Sequence, residues 1–166
     1  MTFPSRLRWL FLTLLIVIAD RATKALIEAR TTEGWHHELI HNFIYLVHSK
    51  NPGIAFSMFA NSQSRLLHFG LIALSLIFIA ALGWLLLTSK SVTWRSFAGL
   101  ALLIGGAAGN LTDRIIHGAV TDFFEVWLGT YRYPAFNVAD SAITIGAILV
   151  LLDVLFSPPK SANSQK

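Results

Sequence analysis

Cysteine is absent from the 166-residue chain. This absence excludes disulfide bonds, thiolate metal ligands and a thiol nucleophile. Charge is also scarce, because charged residues make up 13% of the chain and hydrophobic residues make up 54%. An average soluble domain has about a quarter of its residues charged. The length would allow one soluble domain, but this composition favours several membrane spans.

Long apolar runs predict four membrane-spanning helices, at about residues 7–27, 66–87, 97–111 and 139–156. The first run could also be a secretory signal peptide. No small-x-small cleavage site follows it in Asp20-Arg21-Ala22-Thr23-Lys24, so we predict a retained helix.

The segments between these helices are more polar. We predict that residues 28–65 and 112–138 lie outside the membrane and that residues 157–166 form a loose tail. Residues 41–59 are rich in β-branched and aromatic residues, and they predict a small strand-rich element on the membrane surface.

Basic residues predict the orientation. The start of the chain, the loop at 88–95 and the tail contain no acid, and their basic residues are Arg6, Arg8, Lys90, Arg95, Lys160 and Lys166. Short basic segments stay in the cytoplasm, so both termini are predicted there and the outer segments on the opposite face. The net charge of +4 suits an anionic membrane surface better than nucleic acid.

Two aspartates, Asp122 and Asp140, are the candidate catalytic pair. Acids beside membrane spans are expensive and usually functional. Two carboxylates in one site share a proton, so one activates water while the other polarises a carbonyl. A return of the chain through Tyr133-Pro134 would bring them together. Asp140 could instead be a helix N-cap, and Asp122 an exposed loop acid.

Their environments suggest different protonation. Asp140 opens a helix, and the helix N-terminus favours an anion. We therefore predict that Asp140 is the ionised carboxylate and that Asp122 carries the proton.

Other polar residues are candidates to support this pair. Asp20 and Lys24 share a helical face as an ion pair, or act directly at the site. Asn110, Asp113 and Arg114 predict a polar scaffold, in which Arg114 would contact Asp113 or Asp122. Asn51 and Asn137 could position a substrate backbone or be ordinary turn residues. Gly105 and Gly109 have the spacing of closely packed helices.

A zinc-protease pattern also occurs, in His37-Glu38-Leu39-Ile40-His41. The pattern H-E-x-x-H binds zinc when both histidines lie on one face of a helix and a third ligand follows. Gly34 precedes these residues and an apparent strand follows them at Phe43. We therefore interpret them as ordinary surface residues and predict neither a metal nor another cofactor.

Several motifs give the chain a resemblance to lipoprotein signal peptidase, the signal peptidase II family. The resemblance covers nearly the whole chain and keeps the order of the motifs. These are Asp20-Arg21-Ala22-Thr23-Lys24, Asn51-Pro52-Gly53-Ile54-Ala55-Phe56-Ser57, Gly105-Gly106-Ala107-Ala108-Gly109-Asn110-Leu111-Thr112-Asp113-Arg114, Gly118-Ala119-Val120-Thr121-Asp122-Phe123 and Phe136-Asn137-Val138-Ala139-Asp140-Ser141. One departure is Ile54, where the family usually has alanine.

The resemblance implies a fold of four transmembrane helices with a small β-cradle and a periplasmic helix or loop. It implies an aspartic endopeptidase of the bacterial inner membrane, with Asp122 and Asp140 as its dyad near the periplasmic face. The supporting residues would be Asp20, Lys24, Asn51, Asn110, Asp113, Arg114 and Asn137.

The implied substrates are prolipoproteins whose cysteine carries diacylglycerol, and the bond cut is the one just before that cysteine. The protein itself is expected to contact membrane phospholipid and to be a monomer.

A proton-coupled transporter that uses the same acids as a relay is the alternative from another class. The acids of such a transporter would line a path across the membrane, whereas the acids of this chain cluster at one face. The two halves of the sequence also show no internal repeat, which many transporters have.

Overall fold

The computed structural model describes residues 3–53, 65–88 and 93–156. Over these residues the chain forms four helices: α1 (Phe3–Arg30), α2 (Arg65–Thr88), α3 (Trp94–His117) and α4 (Val138–Phe156). Four strands form one antiparallel sheet in the order β1-β2-β3-β4: β1 (His36–Ile40), β2 (Ile44–Asn51), β3 (Val120–Leu128) and β4 (Tyr131–Phe136). Ile54, Lys90 and the predicted loose tail lie outside the described residues.

Two of these helices, α2 and α4, are long and apolar enough to cross a membrane. Helices α1 and α3 contain ten of the thirteen charged residues in the four helices, and these residues lower their hydropathy. The predicted helical protein with a small sheet is confirmed, whereas the membrane-spanning role of α1 and α3 stays a prediction. In the described parts of the outer segments the chain forms the sheet and its turns, with no further helix.

The third helix is longer than its predicted apolar span. Thr93 caps its start by accepting a hydrogen bond from the main-chain N–H of Arg95 at 3.2 Å. Its end is set by Gly118, whose φ of 76° is favourable for glycine and whose N–H donates to the carbonyl of Arg114. Because α3 continues to His117, Asp113 and Arg114 lie on this helix and not in a loop.

A β3–β4 hairpin provides the predicted return of the chain. Its turn is at Gly129, where φ is 64°, and not at the expected Tyr133-Pro134, which lie within β4. Strand β2 pairs with β3 so that Ser49 lies opposite Asp122. The hairpin therefore carries the chain from Asp122 out to the turn and back to the start of α4.

Helix α3 is the central helix, since it packs against α1, α2 and α4. Small residues make these contacts close. A Cβ atom on Gly105 would lie 2.9 Å from the Cβ of Ile16 in α1, so the predicted close packing at this glycine is confirmed. Gly99 and Gly146 face each other across the α3–α4 contact, where either Cβ would lie 2.7 Å from the other residue's carbonyl oxygen. This packing holds α4 in register beside α3.

The α3–α4 contact predicts a sharp sensitivity at Gly106. A Cβ there would lie 2.4 Å from the carbonyl oxygen of Ala139, so Gly106→Ala should displace α4. We expect the free energy of unfolding to fall by about 1–3 kcal/mol, which is typical of overpacking. The measurement is the thermal unfolding midpoint in detergent, which should be lower. The control is Gly83→Ala, where nothing lies within 4 Å, and which should be neutral or stabilising. Equal midpoints for the two variants would contradict this packing.

Candidate active site

The start of α4 is a reciprocal cap formed by Asn137 and Asp140. The main-chain N–H of Asp140 donates to Oδ1 of Asn137 at 2.9 Å, and the N–H of Asn137 donates to Oδ2 of Asp140 at 3.2 Å. This is the geometry of a capping box. The N-cap residue is therefore Asn137, and the alternative that Asp140 is itself the N-cap is wrong. Because β4 ends at Phe136, the strand leads directly into this cap.

Asp122 lies within β3 and its side chain is buried, with the residue 3% exposed. The alternative of an exposed loop acid is therefore wrong. Its carboxylate accepts hydrogen bonds from Nδ2 of Asn51 at 3.2 Å and from Nδ2 of Asn137 at 2.7 Å. Asn51 is oriented in turn by Gly53, whose N–H donates to Oδ1 of Asn51 at 3.0 Å. This turn aims the amide nitrogen of Asn51 at Asp122.

Both aspartates line one cavity of about 460 Å³ between the sheet and the helices. Asn137 joins them, because its side-chain amide donates to Asp122 and its main-chain N–H donates to Asp140. Burial, together with the negative charge of Asp140, raises the pKa of Asp122 to about 7. The amide donors of Asn51 and Asn137 act in the opposite direction without cancelling this rise. Asp122 can therefore hold a proton near neutral pH.

A buried ion cluster lies behind the aspartate pair. Asp20, Lys24 and Asp113 are each fully buried. The ammonium of Lys24 is 2.7 Å from Oδ2 of Asp20 and 2.8 Å from Oδ2 of Asp113, and Arg21 forms a second ion pair with Asp113. Two cations thus compensate two carboxylates, as buried charges require. The predicted Asp20–Lys24 pair within α1 is confirmed, but it lies inside the protein, where Lys24 also joins α1 to Asp113 of α3.

Asn110 connects this ion cluster to Asp140. Its Oδ1 accepts from Lys24 at 3.0 Å, and its Nδ2 donates to Oδ1 of Asp140 at 2.8 Å. An ammonium group can only donate, so it determines which end of the amide faces Asp140. Asp20 also reaches α4, where its Oδ1 accepts the main-chain N–H of Ala139 at 2.9 Å. With the N–H of Asn137 on Oδ2, both oxygens of Asp140 therefore accept hydrogen bonds.

Arg114 lines the cavity, but its partners differ from those predicted. Its guanidinium donates to the carbonyl oxygen of Gly53 at 3.1 Å and to that of Asn110 at 3.4 Å. Among the described residues it forms no ion pair with Asp113 or Asp122, where sequence reasoning had expected one. Its observed role is to tie the turn after Asn51 to α3.

The residues of the zinc-protease pattern lie away from this cavity. His37 and Glu38 are in β1, and His41 is in the turn that follows it. Glu38 contacts Nδ1 of His41 at 3.1 Å and accepts the hydroxyl of Tyr45 at 3.0 Å. The strand conformation removes the helical face on which H-E-x-x-H binds zinc. Within the described residues no three His, Asp or Glu side chains are grouped to hold a metal.

The structure brings all the sequence-predicted site residues into one connected region. It also adds cavity residues that sequence reasoning missed, among them Leu74 and Phe78 of α2 and residues 133–136 of β4. No local motif marks these residues, since only the tertiary packing places them beside the two aspartates.

The chain is similar to known proteins over nearly its whole length. The family model described as signal peptidase (SPase) II matches residues 12–156. The lipoprotein signal peptidase of Vibrio cholerae is 40% identical over 164 residues, which are 97% of this chain and 94% of that protein. The lipoprotein signal peptidase of Pseudomonas aeruginosa is 40% identical over 162 residues, which are 96% of this chain and 94% of that protein.

The fold agrees as well. A solved structure of a bacterial membrane enzyme, determined by the in meso method, superimposes with a TM-score of 0.82 and 27% identity, over 96% of this chain and 94% of that one. The family indicates a protease of membrane character. On the family match, the relatives and the fold together, this chain belongs to the signal peptidase II family.

Proposed function

We propose that this chain is an aspartic endopeptidase that removes signal peptides from prolipoproteins. Its substrates carry diacylglycerol on a cysteine, and the bond cut is the one just before that cysteine. The observation that carries the proposal is that Asp122 and Asp140 line one cavity and are joined through Asn137. We propose that the protein works as a monomer, with both aspartates and the amides that bind them on one chain.

The two carboxylates have complementary roles in the proposed reaction. Asp140 acts as the carboxylate and takes a proton from a water molecule as the water attacks the scissile carbonyl. Asp122, protonated, donates to the carbonyl oxygen. The C–N bond then breaks, the proton on Asp140 passes to the leaving amine, and Asp122 recovers its own as the new carboxyl group forms. No metal or covalent intermediate is needed.

The walls of the cavity suit a lipid-modified substrate. Leu74 and Phe78 of α2 and Ile143 of α4 form an apolar side. These two helices are the ones apolar enough to cross a membrane, so the apolar side is continuous with the bilayer in the proposed orientation. The signal peptide and the acyl chains on the cysteine that follows it could then reach the aspartates without entering water.

The cluster of acids argues against a proton-coupled transporter. A relay needs acids spaced along a path across the membrane. Here Asp20, Asp113, Asp122 and Asp140 are connected by hydrogen bonds through Lys24, Asn110 and Asn137 at one end of the helices. This arrangement supports a single reaction site.

The first prediction concerns the aspartate pair. Asp140→Asn and Asp122→Asn should each reduce cleavage of a diacylglyceryl-modified prolipoprotein by at least about 100-fold, the smallest usual effect of losing acid–base catalysis. Cleavage is read as a gel shift with purified protein in detergent. EDTA should leave the wild-type rate unchanged. Cleavage that survives Asp140→Asn would contradict the site, and cleavage lost to EDTA would indicate a metal.

The second prediction concerns pH. Asp122 acts in its protonated form, and its pKa is about 7. Raising the pH through 7 removes that proton, so kcat should fall on the alkaline side of neutrality, about tenfold for each further pH unit. The measurement is a pH–rate profile under saturating substrate, with unfolding monitored at each pH. A rate that keeps rising to pH 9 would contradict a protonated Asp122.

The third prediction concerns orientation. We propose that the chain lies in the bacterial inner membrane with both termini in the cytoplasm and the cavity near the periplasmic face. Because the chain has no cysteine, a single introduced thiol reports its side without background. A membrane-impermeant maleimide should label Glu33→Cys in intact spheroplasts, but label Arg95→Cys only after permeabilisation. The reverse pattern would invert the topology.

A further inference from the structure

A second cavity of about 290 Å³ lies on the strand side of the candidate site. It shares Asn51, Asp122, Pro134 and Ala135 with the larger cavity. Asp122 therefore lies where the two cavities meet. A peptide whose scissile bond is at Asp122 would extend into one cavity on one side of the bond and into the other cavity on the other side.

The two cavities differ in their walls. The larger one is bounded partly by apolar residues of α2 and α4. Among the described residues, the smaller one is bounded by residues of β2, β3 and β4, and these include Ser49, Lys50 and Arg132. A signal peptide matches the apolar cavity, which leaves the polar cavity for the chain that follows the cysteine.

Arg132 presents positive charge to this polar cavity. Its side chain is 60% exposed, while its partner Glu125 is fully buried and does not line the cavity. Nε of Arg132 donates to Oε2 of Glu125 at 2.7 Å, and Nη2 lies 2.5 Å from the same oxygen. Glu125 is fixed in turn by the indole N–H of Trp127 at 2.6 Å. Glu125 thus holds the guanidinium through Nε and Nη2, which leaves three of its five N–H donors for a bound group.

Lys50, the other cation at this cavity, is less available than Arg132, because its side chain is 25% exposed against 60% for Arg132. The ammonium of Lys50 is held by Glu28 at 2.6 Å and by the hydroxyl of Thr121 at 2.7 Å. Asp122 carries a proton in the proposed reaction, so it would not repel an anion. The cavity wall therefore favours a negatively charged group over a positively charged one.

We propose that the strand-side cavity receives the residues that follow the lipidated cysteine, and that Arg132 makes it select an acidic side chain there. This inference rests on the proposed function and adds a substrate preference to it. The held guanidinium loses little freedom on binding a carboxylate, which makes the contact specific. A substrate lysine at the same position would be repelled by the positive charge of Arg132 and would therefore be disfavoured.

The test uses three modified prolipoproteins that differ only in the residue after the cysteine, which is Asp, Asn or Lys. For the wild-type protein, kcat/KM should be about tenfold higher with Asp than with Lys, the effect expected of a hydrogen bond to a charged group. In Arg132→Gln this ratio should fall to about one. A ratio measured within one enzyme does not depend on how much of that enzyme is folded.

Matched variants separate this contact from general electrostatics and from folding. Arg30→Gln removes an exposed cation at the end of α1, outside both cavities, and should leave the ratio unchanged. Arg132→Lys should keep part of the preference. Arg132→Gln leaves the buried Glu125 without its cation. The double variant Glu125→Gln with Arg132→Gln removes that buried charge as well, so it repeats the test of the substrate preference without it.

The outcomes are distinguishable. Equal cleavage of the three substrates by the wild type, or a preference that survives Arg132→Gln, would overturn the selection by Arg132 while leaving the proposed function intact. A response to anionic lipid in the detergent mixture, with no response to the substrate residue, would assign Arg132 to a headgroup and overturn the proposal. Failure to cleave any of the three substrates would overturn the proposed function itself.

Discussion

The hydrogen bonds of Asn137 are the constraint on which the rest of the site depends. This residue stands where β4 ends and α4 begins, so its position is fixed by both the sheet and the helix bundle. Its Oδ1 must accept from the N–H of Asp140, which leaves its amide nitrogen to donate to Asp122. The cap that starts the helix is thus also the link that brings a strand carboxylate and a helix carboxylate to one cavity.

The need to compensate buried charge determines how the helices meet behind this link. Lys24 is fully buried and has donors for three partners, which are Asp20, Asp113 and Asn110. Asp20 lies in α1 with Lys24, while Asp113 and Asn110 lie in α3, and removing any one would leave a buried charge or amide unsatisfied. Gly109 allows this approach, because a Cβ there would lie 2.5 Å from a carboxylate oxygen of Asp20. Close helix packing and the polar network are therefore one arrangement.

Sequence reasoning identified the polar residues of the site because charge is conspicuous in an apolar chain. It also predicted the close packing at Gly105 and a strand-rich element at residues 41–59, which contains β2, but it did not predict β1, β3 or β4 from their residues. It ended α3 too early, since the apolar run stops at Leu111 whereas the helix continues until Gly118 provides a left-handed residue. It did not find Arg132 or the walls from α2 and β4. Those residues have no local signature, and long-range pairing alone brings them to Asp122.

The central claim is that Asp122 and Asp140 share one site, and the titration of Asp122 tests it most directly. Infrared spectroscopy of protein with ¹³C-labelled aspartate, with Asp122→Asn used to assign the band, would follow this carboxyl group as a function of pH. We expect a pKa of about 7 in the wild type and a clearly lower value in Asp140→Asn, because a nearby negative charge has been removed. An unchanged titration in Asp140→Asn would contradict a shared site.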